Sequence, residues 1–182
     1  NIPGKDILKM DNKQNDFGDL YNLVENGATQ IILTGAPGTG KTRLAKKIAE
    51  EFCQEQTKKY ELVQFHPSYD YTDFVEGIRP VEYKDQDGNE KVEFRKVDGI
   101  FKKFCRKVAD LKDEPDGKNN ERKYFFIIDE INRADLSKVF GELMYCLETD
   151  KRGSENRIQT QYANLHTYNP EEGDYYSEDI FE

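Results

Sequence analysis

Apolar residues recur along this chain with two periods, and the change from one to the other marks out its elements. Gln30-Ile31-Ile32-Leu33-Thr34 is a short apolar run that predicts a buried strand. Behind it Leu44, Ile48 and Phe52 recur every four residues, with Ala45, Ala49 and Cys53 beside them, and predict a helix over about 41–56. Residues 16–26 read as a short helix with Leu20, Leu23 and Val24 inward and Gly27 as its stop. Tyr60-Glu61-Leu62-Val63-Gln64-Phe65 alternates as a second strand. Val81 and Tyr83 on one arm, and Val92 and Phe94 on the other, predict a hairpin over 81–95 around Asp85-Gln86-Asp87-Gly88-Asn89. A helix over 99–112 turns Ile100, Phe101, Phe104, Cys105 and Val108 to one face, and Lys102, Lys103, Arg106 and Lys107 lie opposite, read as a solvated face in preference to a nucleic-acid stripe. A polar linker over 113–121 carries Pro115 and Gly117, and Tyr124-Phe125-Phe126-Ile127-Ile128 then reads as a strand buried on both faces. Leu136, Val139, Phe140, Leu143, Met144 and Leu147 give a last helix over 135–149. Residues 1–15 are polar and read as loop, and the tyrosine-rich stretch from 150 onward is weakly patterned, with an edge strand at 157–163.

Two of the strand ends carry chemistry. Between the first strand and its helix stand Gly35-Ala36-Pro37-Gly38-Thr39-Gly40-Lys41-Thr42, a full match to the G-x-x-x-x-G-K-[ST] phosphate-binding loop. The glycines let consecutive main-chain N–H groups turn inward toward phosphate oxygens. Lys41 supplies a cation for the β and γ phosphates, Thr42 a hydroxyl for Mg²⁺, and the helix N-terminus that follows favours negative charge. The later buried strand ends in Asp129-Glu130, at the carboxyl end where α/β sheets bind ligands. Asp129 is read as the second metal residue, with Thr42, and Glu130 as the general base that orients and polarises an attacking water. A module that only stored nucleotide would need the loop and the aspartate; the added glutamate points to turnover.

Composition narrows the class. The 182 residues are enough for one α/β domain with a core, and the formal net charge of -9 disfavours autonomous binding to nucleic-acid phosphates. No apolar run is long enough to span a membrane and no secretory signal opens the sequence, so a cytoplasmic protein is expected. The first residue is Asn1, which is expected of a piece of a longer protein. Cys53, Cys105 and Cys146 are distant from one another and read as reduced, buried thiols; His66 and His166 are isolated, and no zinc site is expected. The Asp-rich hairpin turn is not a calcium loop, because its glycine is misplaced, no glutamate stands at the twelfth position and strands flank it.

Three segments together resemble one family. Phe65-His66-Pro67-Ser68-Tyr69-Asp70-Tyr71-Thr72-Asp73-Phe74-Val75-Glu76-Gly77-Ile78-Arg79-Pro80 is similar to the F-H-x-S-Y-x-Y-x-D-F-x-x-G-x-R-P stretch of McrB-type AAA+ GTPases, the motor subunits of modification-dependent (5-methylcytosine) restriction systems. Asp129-Glu130-Ile131-Asn132-Arg133-Ala134 and Leu136-Ser137-Lys138-Val139-Phe140-Gly141-Glu142 resemble the family's D-E-I-N-R-A signature and the helix after it. The resemblance covers about residues 30–150 and implies an AAA+ fold: a three-layer α/β P-loop sandwich with a mostly parallel sheet and an inserted hairpin. Residues 1–29 would be a leading segment, 30–150 the nucleotide core and 151–182 a polar tail. It further implies Mg²⁺ and GTP, a homo-oligomeric ring, usually a hexamer, a McrC-like nuclease partner, and DNA translocation through domains or partners outside this segment. Asn132 and Arg133 would shape a site shared with a neighbouring subunit, although from the residues alone Arg133 reads equally as a surface residue at a helix start. The family's sensor strand and helical lid find no counterpart before Glu182, so the expectation is a truncated domain: either residues beyond 182 were removed, or another chain or segment fills the central strand position.

Two other readings remain open at this stage. D-E-I-N-R-A is shared with MoxR-like ATPases, which would make ATP the nucleotide and remodelling the task, and no N-K-x-D guanine motif is present. A non-hydrolysing platform that uses nucleotide to hold an assembly together is the third.

Overall fold

The computed structural model describes residues 6–10, 16–53, 59–84, 87–112, 123–153 and 155–176. They fall into two compact units, one of residues 1–63 and 115–129, the other of 64–114 and 130–182. The last turn of the helix expected to reach 56 and the linker expected over 113–121 lie outside the described residues. Among the described residues no helix is long and apolar enough to cross a membrane.

The first unit is α/β. Its elements are β1 (Asp6–Lys9), α1 (Asp16–Glu25), β2 (Ile31–Thr34), α2 (Lys41–Cys53), β3 up to Val63 of Tyr60–Gln64, and β6 (Phe125–Asp129). β1 runs parallel to β2 with Asp6 opposite Ile31, and β3 neighbours β6. β2 and β6, whose ends bear the two motifs, share no ladder among the described residues. The core is the set of apolar faces read from the sequence: Leu20 and Val24 of α1 and Leu44 and Ile48 of α2 pack with Met10, and Leu8, Ile31 and Leu33 of the strands close on them. A row of rings, Phe17, Tyr21, Phe52 and Phe125, extends that core, with neighbouring centroids 6.2, 4.8 and 5.9 Å apart. β1 corrects the expectation of a loop over residues 1–15. Four residues with alternating half-buried and exposed positions carry too weak a pattern to stand out, and the strand exists because β2 offers it an edge.

The second unit holds α3 (Tyr71–Phe74), the hairpin of β4 (Glu76–Lys84) and β5 (Glu90–Asp98), α4 (Ile100–Lys112), α5 (Leu136–Phe140), and two short strands, β7 (Tyr168–Asn169) and β8 (Asp174–Tyr175). The hairpin is longer than the expected 81–95, and Glu76 lies opposite Asp98 at its base. β7 joins β5 in parallel and β8 closes the sheet, whereas 157–163, expected as an edge strand, is irregular over 157–160 and turn over 161–163. The helix expected over 135–149 is broken. α5 ends at Phe140, Gly141 takes φ 51° and ψ -130°, and a 3-10 helix continues over Gly141–Leu147. Only glycine holds that backbone without strain, and a Cβ there would lie 2.9 Å from the Tyr71 ring.

The stretch that carries the family resemblance builds this unit's core. Phe74 stacks on Phe101 and meets Phe140 and Phe65, with centroids 5.1, 4.8 and 5.7 Å away. Asp70 caps α3 by accepting from the N–H groups of Thr72 and Asp73, Asp73 closes the capping box, and Arg79 donates to Asp73 at 2.5 Å. Glu76 is fully buried and accepts from Lys102 at 2.5 Å, with Lys96 at 3.3 Å. Arg106 pairs with Asp98 at 2.5 Å. Lys102 and Arg106 therefore do not lie on a solvated helix face: both are buried, drawn in by the two carboxylates at the base of the hairpin. The sequence spacing shows that face of α4 as polar but not what packs against it.

Candidate nucleotide-binding site

The site is built where β2 hands over to α2. Gly38 and Gly40 both take φ 79°, and Gly35 takes φ 150°, so the chain from Gly35 to Thr42 curls through conformations other residues rarely adopt. Gly35 is constrained twice, because a Cβ there would lie 2.6 Å from the main-chain oxygen of Met10, just past β1. The leading strand thus sets how tightly the loop can turn. Ala36 accepts from the Thr39 hydroxyl at 2.9 Å, and Leu44 N–H donates to Gly40 to start the helix.

Lys41 folds back over this curl. Its ammonium donates to the carbonyl oxygens of Gly35 at 3.0 Å and Ala36 at 2.9 Å and reaches the Thr39 hydroxyl at 3.4 Å. The cation is thereby carried at the loop, beside the main chain expected to meet phosphate. Pro37 stands exposed within the same loop.

The Thr42 hydroxyl donates to Asp129 Oδ1 at 3.0 Å. This bond spans 87 residues and joins the first turn of α2 to the tip of β6, the two positions the sequence reading paired around a metal. Both groups offer hard oxygen donors, which suits Mg²⁺, a cation that takes few protein ligands and keeps its remaining positions for water and phosphate. Among the described residues no cluster of three or more His, Cys, Asp or Glu side chains forms an alternative metal centre. The loop, the ammonium and the oxygen pair fit a magnesium–triphosphate group.

Glu130 begins the second unit and is the one non-glycine residue with positive φ among the described residues, at φ 53° and ψ 40°. A left-handed conformation costs a residue with a Cβ about 1–3 kcal/mol, and such strain concentrates at functional positions. Glu130 opens the 3-10 helix Ile131–Arg133: its carbonyl accepts from the N–H of Arg133 at 2.9 Å, and its carboxylate Oε2 accepts from Arg133 Nε at 3.0 Å. Arg133 is exposed at the end of this turn. Its pairing with Glu130 was not anticipated, although the i,i+3 spacing of opposite charges was a signal for it. Asn132 is exposed on the same turn.

Comparison with known proteins adds a family to this geometry. The AAA domain (dynein-related subfamily) matches residues 30–171. The chain is similar to the type IV methyl-directed restriction enzyme EcoKMcrB subunit of Escherichia coli (strain K12), 43% identical over 152 residues, which are 83% of this chain and 28% of the relative. It is also similar to the type II restriction enzyme BsuMI component YdiS of Bacillus subtilis (strain 168), 27% identical over 164 residues, covering 81% of this chain and 45% of the relative. The chain thus spans between about a quarter and a half of the length of these curated relatives.

Proposed function

The chain belongs to the dynein-related subfamily of AAA domains, and on that premise we propose that it binds and hydrolyses a nucleoside triphosphate as the nucleotide core of a McrB-like subunit in a restriction system. The observation that carries this reading is the Thr42–Asp129 contact beside the Lys41-bridged loop, which joins phosphate grip and metal donors in one place. Residues Gly35 to Gly40 other than Pro37, which has no N–H, would cradle the β and γ phosphates through main-chain N–H groups, and Lys41 would balance their charge. Thr42 and Asp129 would hold Mg²⁺, which supplies charge neutralisation between phosphate oxygens when bound. Glu130 would accept the proton of the attacking water.

The identity to a methyl-directed restriction subunit supports the finer reading: GTP rather than ATP, a homo-oligomeric ring such as a hexamer, a McrC-like nuclease partner, and hydrolysis coupled to DNA translocation. The net charge of -9 argues that DNA is gripped by other domains or subunits. Affinities of the full-length protein for GTP and ATP, together with turnover with and without the nuclease partner, test these points. Preference for GTP and turnover that Glu130→Gln abolishes without loss of binding support the proposal. Binding of ATP alone would move the protein to a MoxR-like remodelling ATPase. Normal binding without turnover in the complete assembly would make it a nucleotide-dependent platform.

A further inference from the structure

We infer that Arg133 is a positioning residue that restrains Glu130 and so holds down basal hydrolysis; the inference rests on the assignment of Glu130 as the base. Three observations converge on one turn. The carboxylate that would take the water's proton already accepts from Arg133 Nε at 3.0 Å. The same two residues are joined a second time through the main chain, Arg133 N–H donating to the Glu130 carbonyl at 2.9 Å, so both side chains leave from one closed turn. Glu130 holds a left-handed backbone conformation, which fixes the direction in which its side chain leaves the turn. A base must bring a free lone pair to the water, and each oxygen engaged by a guanidinium is a poorer acceptor and less free to swing.

Exposure sets the size of the effect. The Arg133 and Glu130 side chains are 57% and 38% exposed, so solvent screens the pair, and such pairs shift an equilibrium by about 1.5- to fivefold. That is a bias on the base rather than an off state, and any anionic group that competes for the guanidinium lifts it.

The test uses the full-length protein with Arg133→Ala, Arg133→Lys, Glu130→Gln and the Arg133→Ala/Glu130→Gln double variant. Turnover at saturating GTP and GTP affinity are measured without a partner subunit. A restraint predicts that Arg133→Ala raises kcat about 1.5- to fivefold with nucleotide affinity unchanged, that Arg133→Lys falls between it and wild type, and that Arg133→Ala has no effect once Glu130 is Gln. Unchanged or lower kcat for Arg133→Ala, with Glu130→Gln inactive, overturns the restraint and leaves the base assignment standing. Normal turnover by Glu130→Gln takes down both.

Discussion

At the scale of single residues, two positions show backbone geometry subordinated to the site. Gly35 must be glycine because the Met10 carbonyl stands where a side chain would begin. Glu130 is the opposite case, a residue kept in a conformation that glycine would occupy at lower cost. A carboxylate therefore stands at that position against backbone preference, and strain of this kind clusters at functional sites. The strain has a measurable consequence. Glu130→Gly should be about 1 kcal/mol more stable than Glu130→Ala in urea unfolding, because both lose the carboxylate and only glycine relieves the left-handed backbone. Equal midpoints for the two variants would show that the turn relaxes and stores no strain. The geometry of the motif residues was legible from sequence: Gly35 to Thr42 form the expected curled loop, and Asp129 meets Thr42 at 3.0 Å. Their legibility has a physical origin, since a phosphate cradle fixes residue type and spacing together.

At the scale of elements, periodicity read well wherever an apolar face had one partner. α2 and α4 begin within a residue of where spacing put them, whereas the hairpin runs past its expected ends to Glu76 and Asp98. It failed where a tertiary neighbour decided the outcome. Tyr71, whose hydroxyl donates to Glu142 at 2.5 Å, crowds Gly141 and accompanies the break in a helix whose apolar pattern runs on unbroken. The cations of α4 failed for a related reason, because their counter-charges lie on the hairpin strands β4 and β5. Burial alone would push the Glu76 carboxyl up, but hydrogen bonds from Lys102 and Thr160 and the nearby Lys102 and Lys96 charges outweigh it and hold the group below its ordinary 4.5. A carboxylate with a depressed folded-state value contributes stability that is present above the unfolded value and lost as pH falls through the folded one. Wild type should therefore lose stability as pH drops below about 4.5, whereas Glu76→Gln should be flatter in that window. At neutral pH Glu76→Gln should cost about 3–5 kcal/mol, because it breaks the buried ion pairs that Glu76 makes with Lys102 and Lys96. Thermal unfolding across pH reads both effects, and a Glu76→Gln profile parallel to wild type would remove Glu76 from the account.

At the scale of the whole molecule, the two motifs and the family stretch do different work. The loop and Asp129 assemble within the first unit, while the Phe65–Pro80 stretch that narrowed the family supplies aromatic core, helix cap and buried charge to the second. The central proposal remains local: Thr42 and Asp129 would form the magnesium half of a triphosphate site whose other half is the Lys41 loop. The most direct test is the magnesium dependence of GTP affinity in the full-length protein, compared between wild type and Asp129→Asn. The account predicts that Mg²⁺ tightens binding to wild type, that Asp129→Asn removes most of this gain, and that magnesium-free affinity is little changed. An undiminished magnesium gain in Asp129→Asn would contradict it.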